Sequence, residues 1–275
     1  GTSPAEDFTL TVVSSKVTSG DAKTAPTLGT ITPASYTEKD GATADGNQKD
    51  ITIALPNYTE VGVYEYVLQE TNNKTAGVTY FGGKIKLVVS VVNGDSNGTV
   101  RIAAVHTEGY DEDGKYLGTK SDTFENTYSA GALNISKAVT GNLGNKEKAF
   151  KFTVKLEAIK DKEGNAIADL KYGESYAITG ALEGSDKTIE VGKEATVYLK
   201  DGTNVGIANL PYGVTYTVTE DDYTGAGEAN GYTTTNKVND VDSSDARIGT
   251  GTVSKANERV EFTNQKGATI DTGVI

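Results

Sequence analysis

A chain of 275 residues is long enough for two ordinary domains with their own cores. Its formal net charge of -12 argues against nucleic acid and anionic membranes as partners, and without cysteine it has neither disulfides nor thiolate metal sites. Methionine and tryptophan are absent too, and the longest apolar stretch, around LVVSVV, falls far short of the roughly 20 residues needed to span a bilayer.

Strand signals dominate the chain and amphipathic helical periodicity is scarce. In a strand, residues i, i+2 and i+4 share a face. DFTLTVV therefore predicts a strand with Phe8, Leu10 and Val12 turned inward. In VGVYEYVLQE, Tyr64, Tyr66 and Leu68 share a face with Glu70. KIKLVVSVV and TVRIAAV read as a pair joined by the turn-rich NGDSNG, and in TFENTY Phe124 shares a face with Asn126. SAGA is the natural junction, which places one domain over 1–130, a second over 131–267 and a tail over 268–275.

The second domain opens with LNISKAVTG, where Leu133 and Ile135 point the same way as Lys137. AFKFTVKLEA turns Phe150, Phe152, Val154 and Leu156 inward, and ATVYL, VGIANL and YTVTE follow at the short spacings of a sandwich. Tyr216 and Val218 share a face with Glu220 in YTVTE; Val260 and Phe262 share one with Asn264 in VEFTN. The Gly- and Asp-rich segments EKDGATADGNQKD and NDVDSSDARIGTG are expected as surface loops. The fold class read from these patterns is all-β, with two β-sandwich domains in tandem.

Lys137, Glu220 and Asn264 each extend a hydrophobic row with a group that is expensive to bury alone. Among Phe and Tyr side chains a lysine loses its preference for the charged form and a carboxyl gains preference for the neutral one. A neutral amine can then attack the Asn264 carboxamide while Glu220 relays protons and ammonia leaves, giving a Lys–Asn isopeptide bond. Proximity within the fold supplies much of the acceleration. The chain is its own substrate and turns over once, so no enzyme, cofactor or metal is expected. His106, the only histidine, lies in a strand with no nucleophile motif around it. DEDGKYLGTKSD begins like an acidic calcium loop but has its glycine at the wrong position.

The same pattern recurs in the first domain with Glu70 and Asn126 but without a lysine. The aromatic strand there begins almost at residue 1, so the equivalent lysine strand is expected upstream, and Lys16 comes too late to replace it. No signal peptide is recognisable, as expected of a trimmed ectodomain or mature segment.

NISKAVTG, YTVTEDDYTGAGEANGYTTT and EFTNQK resemble the C-terminal domain of Gram-positive major pilins. These are the backbone subunits of sortase-assembled pili, built from Ig-like domains of the collagen-adhesin B type. The resemblance implies an extracellular location on a pilus or cell wall. It also implies isopeptide roles for Lys137, Glu220 and Asn264, and for Glu70 and Asn126 in the first domain. Further copies of the same pilin, a pilus-class sortase and minor pilins are the implied partners. ATIDTGVI resembles a sorting signal with Thr272-Gly273 at the cleavage position, although Asp271 replaces the usual proline. Lys120, in GTKSDTFEN, best fits an inter-subunit acceptor lysine, with Lys115 as runner-up. A non-polymerising adhesin stalk anchored singly to the cell wall is the alternative.

Overall fold

The computed structural model describes residues 3–41, 47–269 and 273. Apart from one 3-10 turn at Glu38–Asp40, every regular element among them is a β-strand. The alternating β-branched and aromatic residues fit a half-buried pleated surface, as expected from the sequence. The chain divides into one unit ending at Tyr128 and a second beginning at Ser129.

The first unit holds β1 (Glu6–Phe8), β2 (Leu10–Gly20), β3 (Ile31–Thr32), β4 (Ala34–Tyr36), β5 (Thr52–Ile53), β6 (Gly62–Glu70), β7 (Val78–Thr79), β8 (Lys84–Asn93), β9 (Val100–Tyr110), β10 (Tyr116–Thr119) and β11 (Thr127–Tyr128). An antiparallel sheet in the order β10-β9-β8-β6-β2 forms one layer. Its inner face contributes Tyr64, Tyr66, Leu68, Leu87 and Val89 to the core. The remaining strands make three separate two-stranded pieces, β1-β4, β3-β5 and β7-β11. The predicted hairpin closes at Asn93 and Val100.

Val12 departs from its predicted inward position and is 42% exposed. Val12 pairs with Leu68, still in phase with Leu10, but β2 lies at the sheet edge and its register with β6 shifts immediately beyond Val12, so the inward row ends there.

The second unit holds β12 (Ala130–Thr140), β13 (Phe150–Glu157), β14 (Tyr176–Thr179), β15 (Thr188–Ile189), β16 (Glu194–Leu199), β17 (Asn204–Pro211), β18 (Thr215–Glu220), β19 (Thr233–Val238), β20 (Val241–Asp242), β21 (Ile248–Thr252) and β22 (Asn257–Gln265). One sheet runs β15-β14-β17-β12-β22-β19-β20 and the facing one β16-β13-β18-β21. The core between them includes Leu133, Ile135, Phe150, Phe152, Val218 and Phe262. The first and last strands of the unit, β12 and β22, are parallel neighbours in register from Ala132↔Asn257 to Thr140↔Gln265.

The segment expected as the loop NDVDSSDARIGTG is only partly a loop. Residues 248–252 form β21, which pairs antiparallel with β18. Its glycines are packing features: a Cβ at Gly249 would collide with Val260, and one at Gly251 with the Tyr216 ring.

Candidate functional site

Strand alternation turns three polar side chains into the core of the second unit. β12 buries Leu133, Ile135, Lys137 and Val139 in a row; β18 buries Tyr216, Val218 and Glu220; β22 buries Glu258, Val260, Phe262 and Asn264. Lys137 pairs with Phe262 across the parallel ladder, so Asn264 is its diagonal neighbour on the same face. Glu220 comes from the opposite sheet, in register with Phe152. The backbone of Lys137 is clasped by the β16–β17 turn: Lys137 N donates to Thr203 O at 3.1 Å and Gly202 N donates to Lys137 O at 2.9 Å. Glu220 is held from its other side by Arg247, whose carbonyl accepts from Glu220 N at 2.9 Å.

Lys137 Nζ donates to Glu220 Oε1 at 2.6 Å, and both side chains are fully shielded from solvent. Nζ also sits 4.1 Å from the Phe150 ring centroid and 5.5 Å from that of Phe152. Phe152 in turn meets Phe262 edge-on at 5.0 Å. Burial pushes the Lys137 amine down to about 8, against the opposing pull of Glu220. Burial likewise pushes the Glu220 carboxyl up, against Lys137. Both shifts favour a neutral amine beside a neutral acid. Asn264 Nδ2 and Oδ1, Glu220 Oε2 and Thr234 Oγ1 are buried with no hydrogen-bond partner among the described residues. A carboxamide stripped of water on both atoms is an expensive resting state. Condensation with Lys137 removes two of its N–H donors as ammonia.

Another carboxylate, on the Asn264 strand β22, shows the contrast. Glu258 is as deeply buried as Glu220, yet it accepts from Asn239 Nδ2 at 2.6 Å, Ser254 N at 2.9 Å and Tyr216 OH at 3.2 Å. Burial opposes its charge, but these donors together hold its carboxyl below the usual range. Glu258 is thus a satisfied anchor of three loops and strands, whereas Glu220 has one cation and one free oxygen.

In the first unit the structure brings Glu70 and Asn126 together. Asn126 Nδ2 donates to Glu70 Oε1 at 2.5 Å, and Phe81 N donates to both Glu70 Oε2 (2.9 Å) and Asn126 Oδ1 (2.8 Å). Burial pushes the Glu70 carboxyl up, and the neighbouring Glu6 adds to this. No lysine takes part in the hydrogen bonds described around this pair. Lys16 lies elsewhere, exposed on β2 and paired with Glu65 at 3.3 Å. Residues 121–126 belong to no strand or ladder, unlike β22, which has strands on both sides. Beside them is a cavity of about 750 Å³, with Phe8, Leu10, Leu68, Ile85, Phe124 and Asn126 in its walls.

Lys115 and Lys120 are both exposed, and Lys120 has a left-handed backbone with φ of 58°. Gly273 is exposed; Thr272 lies outside the described residues. Sequence reasoning did not single out Glu6, Thr234, Asn236 or Glu258. Only Glu258 carried a usable signal, being in phase with Val260, Phe262 and Asn264.

Two family matches divide the chain. Residues 1–129 match the Spy0128-like isopeptide containing domain, and residues 131–266 match a domain of unknown function, DUF7601. A protein named "Pilin" from Streptococcus pyogenes serotype M1 is 27% identical over 256 residues, which is 89% of this chain and 69% of the relative. The pilus tip adhesin Cpa of Streptococcus pyogenes is 34% identical over 142 residues, 52% of this chain but only 18% of that protein. The crystal structure of the major pilin from Streptococcus pyogenes superposes with a TM-score of 0.52 at 24% identity. It covers 96% of this chain and 92% of that one, which shows a shared Ig-like pilin fold.

Proposed function

We infer that this chain, a member of the Gram-positive major pilins with an N-terminal domain of the Spy0128-like isopeptide-containing family, works as a shaft subunit of a cell-surface pilus. It is a structural protein that assembles with other pilin subunits. Its own chemistry, on this reading, is a single self-catalysed condensation between Lys137 and Asn264. The observation that supports this most directly is the sealed trio itself: an amine 2.6 Å from a carboxyl, beside a carboxamide whose polar atoms have no partner among the described residues.

The bond would tie the first strand of the unit to the last. The loop it closes exceeds 100 residues, which on loop-closure grounds contributes about 4–5 kcal/mol. In a chain without cysteine it takes the place that a disulfide would otherwise fill.

In the first unit the acid and the amide meet, and no lysine joins them among the described residues. Glu70 and Asn126 would therefore stay unreacted until a lysine-bearing strand lies along residues 121–126. The purified 275-residue chain is then expected to weigh one ammonia less than its sequence mass. Peptide mapping should place the cross-link at Lys137 and Asn264. Loss of two ammonias would overturn the incomplete-site reading, and loss of none would overturn the bond itself.

Between subunits, a pilus-class sortase would attack the Thr272 carbonyl, and a lysine of the next subunit would resolve the thioester. Lys120 is the proposed acceptor. With its sortase, the chain should form a covalent ladder that Lys120→Ala abolishes and Lys115→Ala leaves intact. A ladder surviving Lys120→Ala reassigns the acceptor; a chain that never ladders is an anchored adhesin stalk instead.

A further inference from the structure

The inward row that begins just before β19 reads Tyr232, Thr234, Asn236, all buried. Two of the three are accounted for by their partners. Tyr232 OH accepts from Asn145 N at 3.1 Å, and Asn236 Nδ2 donates to the carbonyls of Asp245 and Ala246 at 2.7 and 3.0 Å. Thr234 is not: its Oγ1 is sealed from solvent with no hydrogen-bond partner among the described residues. Valine has the same shape and would fill the position without stranding a hydroxyl.

Thr234 is the direct cross-strand partner of Asn264 in the antiparallel β19–β22 ladder. Directly opposed side chains on one face approach with Cβ atoms about 4.5–5.5 Å apart. Thr234 and Asn264 also both lie close enough to Glu220 to favour its charged form, although neither makes a hydrogen bond of good geometry with it. One hydroxyl donor thus shares a dry chamber with the unpartnered Asn264 Oδ1.

We propose that Thr234 is a further catalytic group of this site, its hydroxyl donating to Asn264 Oδ1 as negative charge develops there. The proposal rests on the reading that Lys137 and Asn264 condense. In the step, the lone pair of neutral Nζ forms the bond to Asn264 Cγ, and the carbonyl π pair moves onto Oδ1, where the Thr234 O–H holds it. Glu220 gives its proton to Nδ2 and takes one from Nζ, ending as it began. The oxyanion then collapses, the Cγ–Nδ2 bond breaks and ammonia leaves. Thr234 keeps its proton throughout, and Glu220 is spared from serving the oxygen and the leaving group at once.

The test follows ammonia loss by intact mass in the full chain made by cell-free synthesis and quenched at intervals. Folding is checked by near-ultraviolet circular dichroism. Thr234→Val should slow the loss by about 10- to 100-fold, somewhat less than removal of a strong oxyanion donor elsewhere. Thr234→Ser should recover most of the rate, because it restores the hydroxyl with less bulk. Thr234→Ala, which leaves a small void in place of a buried methyl group, should match valine and serves if the valine variant does not fold. Wild-type kinetics in the folded valine or alanine variant would overturn the role of Thr234, as would a serine variant as slow as valine. A wild-type chain that never loses ammonia overturns the condensation reading instead.

Discussion

Glu220→Ala is expected to leave Lys137 and Asn264 unjoined, so the variant retains the ammonia that the parent loses. The second unit should then melt about 15–40 °C lower. The lost loop constraint is about 4–5 kcal/mol, and 1 kcal/mol moves the midpoint of a unit this size by about 2–4 °C. The variant also strands Lys137 without the carboxyl 2.6 Å away, and breaking a buried pair costs about 3–5 kcal/mol more. Asn264→Ala separates the two contributions, since it removes the bond but keeps the Lys137–Glu220 pair. Calorimetry should therefore rank the parent above Asn264→Ala and Asn264→Ala above Glu220→Ala. A parent that melts no higher than Asn264→Ala would show that no covalent bond forms.

The second large effect is mechanical. β12 and β22 run parallel, so the chain enters the unit at one end of this strand pair and leaves at the other. A bond between Lys137 and Asn264 carries tension from the first strand into the last, and every strand from β13 to β21 is bypassed. Pulled from its termini, the parent should show no extension from the second unit. Asn264→Ala should release on the order of 400 Å of chain from that unit, the contour length between the two positions at about 3.3–3.6 Å per residue. A parent trace that releases the same length would rule out a load-bearing cross-link. Such behaviour suits a shaft subunit, whose failure by unfolding would lengthen the whole fibre.

These expectations depend on features that differ in how visible they are along the chain. The inward rows ending in Lys137, Glu220 and Asn264 could be read directly, because strand alternation is a local rule and each row is anchored by unmistakable aliphatic or aromatic neighbours. The same rule failed at Val12, which keeps its phase but lies on an edge strand just before the register shifts. It missed β21 because RIGTG carries turn-like glycines, which the tertiary structure uses as clearance for Val260 and the Tyr216 ring. Thr234 was invisible for another reason. Three consecutive threonines offer no polarity contrast, so nothing in TTTNKV tells which one faces inward.

By itself, then, the amino-acid order determined which residues turn into the core and which of those are chemically out of place. Only the tertiary structure decided who meets whom. The parallel pairing of β12 with β22 brings together positions more than 100 residues apart, and the packing of the two sheets sets Glu220 against Lys137. Alternation is fixed by bonds between successive residues. Neighbourhood across a ladder or between layers is fixed by the packing of the whole unit, which no local pattern encodes.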